Sequence, residues 1–183
     1  MGQHAVVLGG SIAGLLAART LSDHFEAVTL VERDALPQVH GHRKGAPQSL
    51  HVHSLMSSGS DALERLFPGL SVALRTRGAL VGDVGHVRYT IGGRRMPCVT
   101  TGMCALRASR PLLEGYLRER VRALPNVTFL DGCEVRGLIG TAETVGGVRI
   151  VRRDRIAGEE KLAADLVVDA TGRGSKLGGW LEA

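Results

Sequence analysis

Aromatic residues are scarce in this chain, at 3% of 183 positions, and lysine is scarcer still, with Lys44, Lys161 and Lys176 alone. So few rings leave no platform on which the bases of a nucleic acid strand could stack. The remaining basic residues are 20 arginines scattered among 18 acidic residues, so the net charge of +5 forms no block and does not read as a nucleic-acid footprint. An arginine-heavy, Ala/Gly/Val-rich composition is also what GC-rich coding gives. Long hydrophobic runs are missing: every apolar stretch is strand-length, well short of the ~20 residues of a transmembrane helix, and Met1-Gly2-Gln3-His4 lacks the charged start and long apolar core of a signal peptide. Cysteine is limited to Cys98, Cys104 and Cys133, an odd number without CxxC spacing, which argues against a disulfide framework or a zinc site and fits a reducing cytoplasm. Buried thiols are the default expectation for all three.

What is present starts at once. The apolar run Ala5 to Leu8 leads into Gly9-Gly10-Ser11-Ile12-Ala13-Gly14, and a second run, Val28 to Val31, ends in Glu32. A strand feeding a helix through glycines leaves helix N-terminal N–H groups aimed at one spot, where the helix dipole adds positive potential and a pyrophosphate fits. Glu32 lies 18 residues beyond Gly14, where a carboxylate can accept from the hydroxyls of an adenosine ribose. The reading is a dinucleotide site, with Gly9 for the turn and Gly14 for close helix packing. Ser11 stands at the middle glycine position of GxGxxG, where its hydroxyl can donate to a phosphate oxygen.

Further along, helices are expected at about 12–22, 54–67 and 109–124, the last capped by Ser109 with Pro111 in its first turn. Between Asp34 and Ser49 lies a polar loop with two prolines, two glycines and two histidines, in place of the next βα unit of a simple NAD-binding domain. Val87 to Ile91 and Arg94 to Val99 flank Gly92-Gly93 and read as a β-hairpin. Residues 133–139, 148–153 and 160–163 read as a three-stranded antiparallel meander with a turn at Gly146-Gly147. Leu166 to Gly172 reads as a strand of a parallel sheet, buried on both faces. The pairs His40/His42 and His51/His53 have no acid or cysteine at ligand spacing, so no metal site is expected.

Taken together, the strings VVLGGSIAGLLAARTL, VTLVERD, APQSLHVHSL, SRPLLEGYLRERV, LPNVTFLDGCEV and ADLVVDATGRGS resemble the first part of an FAD-dependent monooxygenase of the p-hydroxybenzoate hydroxylase type. Within that group the wording is most similar to bacterial FAD epoxidases of the polyether kind, with flavin halogenases and geranylgeranyl reductases more distant. The resemblance implies an α/β, Rossmann-like FAD-binding domain over residues 1–183, with residues 79–104 as inserted strands of an incomplete substrate domain. It puts Gly9, Ser11, Ala13 and Gly14 on the FAD pyrophosphate, Glu32 on the adenosine ribose and Arg33 beside the adenine. Arg43 would reach toward the pyrophosphate and ribityl chain, Arg110 would face FAD, Val135 would offer backbone groups to the adenine edge, and Ala170, Thr171 and Gly172 would line the cofactor. His51 and His53 would lie near the flavin.

The same resemblance implies that reduced flavin takes up molecular oxygen as a C4a-hydroperoxide and delivers one atom to an alkene in a small hydrophobic substrate. NAD(P)H or a flavin reductase would supply the electrons. No side chain is identified as catalytic. Two departures matter: Thr171-Gly172 occupies the place of an Asp-Gly pair used by the aromatic hydroxylases for FAD and NADPH, and Leu50 replaces a frequent arginine. No segment matches the second Gly-Asp motif of the family, so the chain reads as an N-terminal portion that is inactive alone. A flavin halogenase, a reductase and a non-catalytic nucleotide-binding module stand as alternatives.

Overall fold

The computed structural model describes residues 2–37, 52–153 and 158–182. In chain order it holds β1 (Gly2–Leu8), α1 (Ile12–Leu21), β2 (Phe25–Val31), β3 (Val52–Leu55), α2 (Ser57–Leu66), α3 (Leu70–Thr76), β4 (Leu80–Asp83), β5 (Thr90–Ile91) and β6 (Arg94–Arg95). There follow β7 (Cys104–Ser109), α4 (Arg110–Arg122), β8 (Val127–Leu130), β9 (Cys133–Gly140), β10 (Val145–Arg152), β11 (Glu160–Ala163), β12 (Leu166–Asp169) and α5 (Leu177–Leu181). The chain divides into two compact units, Met1–Val39 with Leu117–Ala183, and His40–Tyr116.

The first unit is built on a parallel sheet of order β12-β1-β2-β8. Alternation explains why β1 sits inside it: Val6 and Leu8 point to one face, Ala5 and Val7 to the other, and all four are fully buried. On the first face they join Val31, Cys133, Val148, Ile150 and Ala164, so the antiparallel meander β11-β10-β9 closes that side. Each valine, leucine and isoleucine among them contributes about 1.5–3 kcal/mol by leaving water. α1 buries Gly14, Leu15 and Ala18.

Two expectations about this unit change. The meander's first turn is Thr141 to Thr144, closed by Thr141 N–H on the Thr144 carbonyl at 2.9 Å, whereas Gly146 and Gly147 lie within β10 beside a register shift. Gly147 takes φ +147°, and a Cβ there would stand 2.2 Å from the Leu162 carbonyl oxygen, so this glycine serves the close approach of β11. β12 is parallel to β1 but ends the sheet, and Leu166 is 37% exposed instead of buried on both faces.

In the second unit β3, β7 and β4 form an antiparallel sheet in the order β3-β7-β4. The helix expected from residue 54 begins at Ser57, because residues 52–55 pair with β7 from Val52↔Ser109 to Leu55↔Leu106. α3 was not expected. Its N-terminal amides are served from the preceding helix, where the Glu64 carboxylate accepts from Gly69 N–H at 2.6 Å, Ser71 N–H at 2.9 Å and the Ser71 hydroxyl at 2.8 Å.

The expected 87–99 hairpin shrinks to β5 and β6 around Gly92 and Gly93, both with positive φ as a tight primed turn requires. Beyond it the chain turns to Asp83, whose carboxylate accepts from Gly85 N–H, Thr101 N–H, the Thr101 hydroxyl and Gly102 N–H at 2.7–2.9 Å. Cys98 and Cys104 are exposed; only Cys133 is buried.

Candidate dinucleotide site

The carboxyl ends of β1, β2 and β12 meet in the first unit. Strand order reverses here: β1 leads through α1 to β2 on one side and is flanked by β12 on the other, which is where open parallel sheets form a ligand crevice. Gly9 turns the chain at φ +99°, with its N–H on the Val31 carbonyl at 2.8 Å. A Cβ at Gly9 would lie 2.8 Å from the Ala170 carbonyl oxygen, and Ala170 N–H in turn bonds the Leu8 carbonyl at 2.8 Å. Gly9 and Ala170 therefore face each other across the strand ends.

Ser11 is the N-cap of α1, with extended backbone (φ −88°, ψ −174°) and no capping bond from its hydroxyl to the helix. Ala13 is exposed in the first turn while Gly14 is buried. That first turn carries no acidic side chain of its own, and the negative charge beside it is the Glu32 carboxylate, held on Gly10 N–H.

Glu32 follows directly on β2 and is 8% exposed. Its Oε2 accepts from Gly10 N–H at 2.7 Å and its Oε1 from Asp34 N–H at 2.9 Å. Arg33 is exposed and pairs through Nε with Asp34 Oδ1 at 3.5 Å. Val135 sits on β9 opposite Ile150, two residues past Cys133, whose N–H bonds the Glu32 carbonyl at 3.0 Å.

Thr171 and Gly172 follow β12, Gly172 with φ +71°. Sequence reasoning missed Asp169, which organises this loop: its Oδ1 accepts from the N–H and hydroxyl of Thr171, and its Oδ2 from the Ser175 hydroxyl. Burial pushes the Asp169 carboxyl up, but these donors together outweigh it and hold the group below its usual range. An Asp two residues before Thr and three before Gly is a turn signal that could have disclosed it. Gly10 was also overlooked as a donor to Glu32.

Arg43 lies outside the described residues, as do His40, His42 and His51. Arg110 belongs to the second unit, where Nε meets Glu114 Oε2 at 3.2 Å and Nη1 faces His53 Nε2 at 3.2 Å. Since a guanidinium only donates, the facing nitrogen of His53 is an acceptor. The β3–β7 register explains the meeting, placing His53 opposite Ala108, two residues before Arg110.

These residues suit the adenosine and pyrophosphate half of a dinucleotide. Gly9 and Gly14 let the turn pack backbone against backbone, on Ala170 and on Gly9 itself, and at the end of β2 stands a carboxylate that accepts from Gly10 and Asp34 out of a capacity of about four hydrogen bonds.

No family model matches this sequence. Protein Rv3254 of Mycobacterium tuberculosis (strain ATCC 25618 / H37Rv) is 39% identical over 202 residues, covering 97% of this chain and 40% of that protein. Among solved structures, p-nitrophenol 4-monooxygenase PnpA from Pseudomonas putida DLL-E4 is similar with a TM-score of 0.70 and 22% identity, over 98% of this chain and 43% of that one. The myxobacterial chondrochloren halogenase CndH, a variant of the FAD-dependent halogenases, gives a TM-score of 0.73 and 19% identity, over 97% of this chain and 39% of that one. The chain spans about two fifths of the length of these relatives. At these identities the structural likeness establishes the fold, a Rossmann-like α/β fold shared with these two proteins.

Proposed function

We propose that this chain forms the adenosine- and pyrophosphate-binding part of an FAD-dependent monooxygenase. The observation that carries the reading is the meeting of Gly9, the α1 N-terminus, Glu32 and Ala170 at the strand-order reversal of a parallel sheet. FAD is favoured over NAD because, among the described residues, β2 is not followed by a further βα unit of the sheet, and because the similar folds belong to a monooxygenase and an FAD-dependent halogenase.

When bound, the flavin supplies the redox chemistry that activates oxygen; the protein's part is binding and orientation. The α1 amides and the Ser11 hydroxyl would face the pyrophosphate, Glu32 would accept from the ribose hydroxyls, and the Ala170-Thr171-Gly172 loop would line the crevice. The resemblance adds Arg33, Arg43, Arg110 and Val135 as further contacts. In its finer form the reading is epoxidation of an alkene in a small hydrophobic substrate, with NAD(P)H or a flavin reductase as electron source. Halogenation is the second reading, supported by the likeness to CndH.

Titrating the purified 183-residue chain with FAD, ADP, FMN and NAD tests the proposal. FAD and ADP are expected to compete for one site and FMN, lacking the adenosine half, not to bind. Binding of FMN, or of none of the four, would overturn it. FAD bound more tightly than NAD is expected from the flavin reading, and a preference for NAD would defeat that part.

A further inference from the structure

We propose that Glu32 acts as a positioning residue for the pyrophosphate turn in addition to accepting from a ribose. This rests on the nucleotide reading given above but concerns a different task of the same side chain.

The backbone of Glu32 is fixed from two sides, its N–H on the Leu130 carbonyl at 2.9 Å and its carbonyl under the Cys133 N–H at 3.0 Å, between β8 and the start of β9. From this anchored point the carboxylate reaches Gly10, where Oε2 takes the N–H at 2.7 Å. Gly9 N–H is held by the neighbouring Val31 carbonyl at 2.8 Å. Two successive amides of the glycine turn are therefore tied to two successive residues of the β2 end, one through backbone and one through a charge. The fit is close: a Cβ on Gly10 would stand 3.2 Å from both Cβ and Oε2 of Glu32. Asp34 N–H on Oε1 at 2.9 Å keeps the carboxylate from swinging away. The peptide after Gly10 begins the α1 N-terminus, so the charge on Glu32 sets the direction in which the helix amides present themselves.

A side chain that merely reads ribose and one that also shapes the turn respond oppositely to a ligand without ribose hydroxyls. Removing the carboxylate takes a negative charge from the neighbourhood of a diphosphate, so electrostatics alone would tighten binding of such an anion. Loss of the turn would weaken it.

The test measures 2′,3′-dideoxy-ADP and ADP against the wild-type chain, Glu32→Ala and Glu32→Gln. Dideoxy-ADP is expected to bind Glu32→Ala about fivefold or more weakly than wild type, with Glu32→Gln between them because its amide oxygen can still accept from one N–H. ADP is expected to lose more, roughly 10- to 150-fold in Glu32→Ala, because the ribose bonds are lost as well. Equal or tighter binding of dideoxy-ADP by Glu32→Ala would overturn the inference.

Hydrogen exchange at the Gly10 amide reads the turn without any ligand, and is expected to be faster in both variants; unchanged protection would equally overturn the inference. Should Glu32→Ala fail to fold, Glu32→Gln carries both measurements. If the wild-type chain binds neither nucleotide, the nucleotide reading fails, while Gly10 exchange still decides whether Glu32 holds the turn.

Discussion

Gly14 lies so close beneath Gly9 that a Cβ on Gly14 would stand 1.8 Å from the Gly9 carbonyl oxygen. The turn and the first helix turn are packed backbone against backbone, with Val7 Cγ1 the next neighbour at 3.5 Å. No flexible side chain is available to move aside. Gly14→Ala is therefore expected to cost about 3 kcal/mol or more, since α1 must shift off the sheet. Urea unfolding monitored by circular dichroism measures it, and a loss below about 1 kcal/mol would show that the turn relaxes freely.

The pairing of Arg110 with Glu114 makes a second prediction. Their side chains are 13% and 4% exposed, so removing one charge strands the other in a poorly solvated place. Arg110→Gln and Glu114→Gln are each expected to destabilise the protein by about 2–4 kcal/mol, and the double variant by less than the sum. Thermal melts of the four proteins give the coupling directly. Full additivity would mean the pair is energetically inert, and Arg110 would then owe its place to something other than Glu114.

Asp83 gives a pH prediction. The Thr101 hydroxyl is the largest influence on its carboxyl and lowers it; burial, next in size, raises it, and the amides of Gly85, Gly102 and Thr101 lower it again, for a net fall from 3.8 to about 2. A depressed folded-state value means the stabilisation is fully present above the unfolded value and is lost as pH falls from 3.8 through about 2. Asp83→Asn should accordingly melt lower than wild type at neutral pH, with the two curves converging in that acid interval. A gap that persists unchanged into acid would point to packing instead of charge.

Asp169 is expected to hold the loop that follows β12. Ser175→Ala and Asp169→Ala should each raise hydrogen exchange at Thr171 N–H, which bonds Asp169 Oδ1 at 2.8 Å, with the larger rise in Asp169→Ala. Under the proposed function both variants also bind ADP more weakly, because the loop that faces Gly9 loosens. Unaltered exchange in Asp169→Ala would remove Asp169 from this role.

Much of the first unit was legible because its signals are local. The short apolar runs of β1 and β2, the glycines between β1 and α1, and Glu32 at the end of β2 are each readable within a few positions. α4 was legible for the same reason, with the Ser109 hydroxyl accepting from Leu112 N–H at 3.3 Å as a cap should. What escaped depends on distant partners. α3 is capped by Glu64, which belongs to the previous helix and offers no sign at the usual capping position. The edge position of β12 follows from sheet order, which three apolar letters and an aspartate do not encode. The shortened hairpin reflects Asp83 drawing in Thr101 and Gly102 across 18 and 19 positions. In the site, Gly9, Gly14 and Glu32 were found by motif, whereas the bond from Gly10 to the Glu32 carboxylate could be seen only in three dimensions.

The sheet order also says something about how the molecule comes into being. β2 follows β1 after one helix, whereas the other neighbour of β1, β12, is made only after β2 to β11, and Gln3 N–H meets the Asp165 carboxylate across 162 positions of chain. A strand that waits this long for half of its partners spends synthesis with one flank open, in a topology where non-local parallel pairing is slow. The crevice between Gly9 and Ala170 consequently closes only once β12 has been made, and under the proposed function a nucleotide present while the chain emerges would meet the β1–α1–β2 side of its site before the β12 side exists.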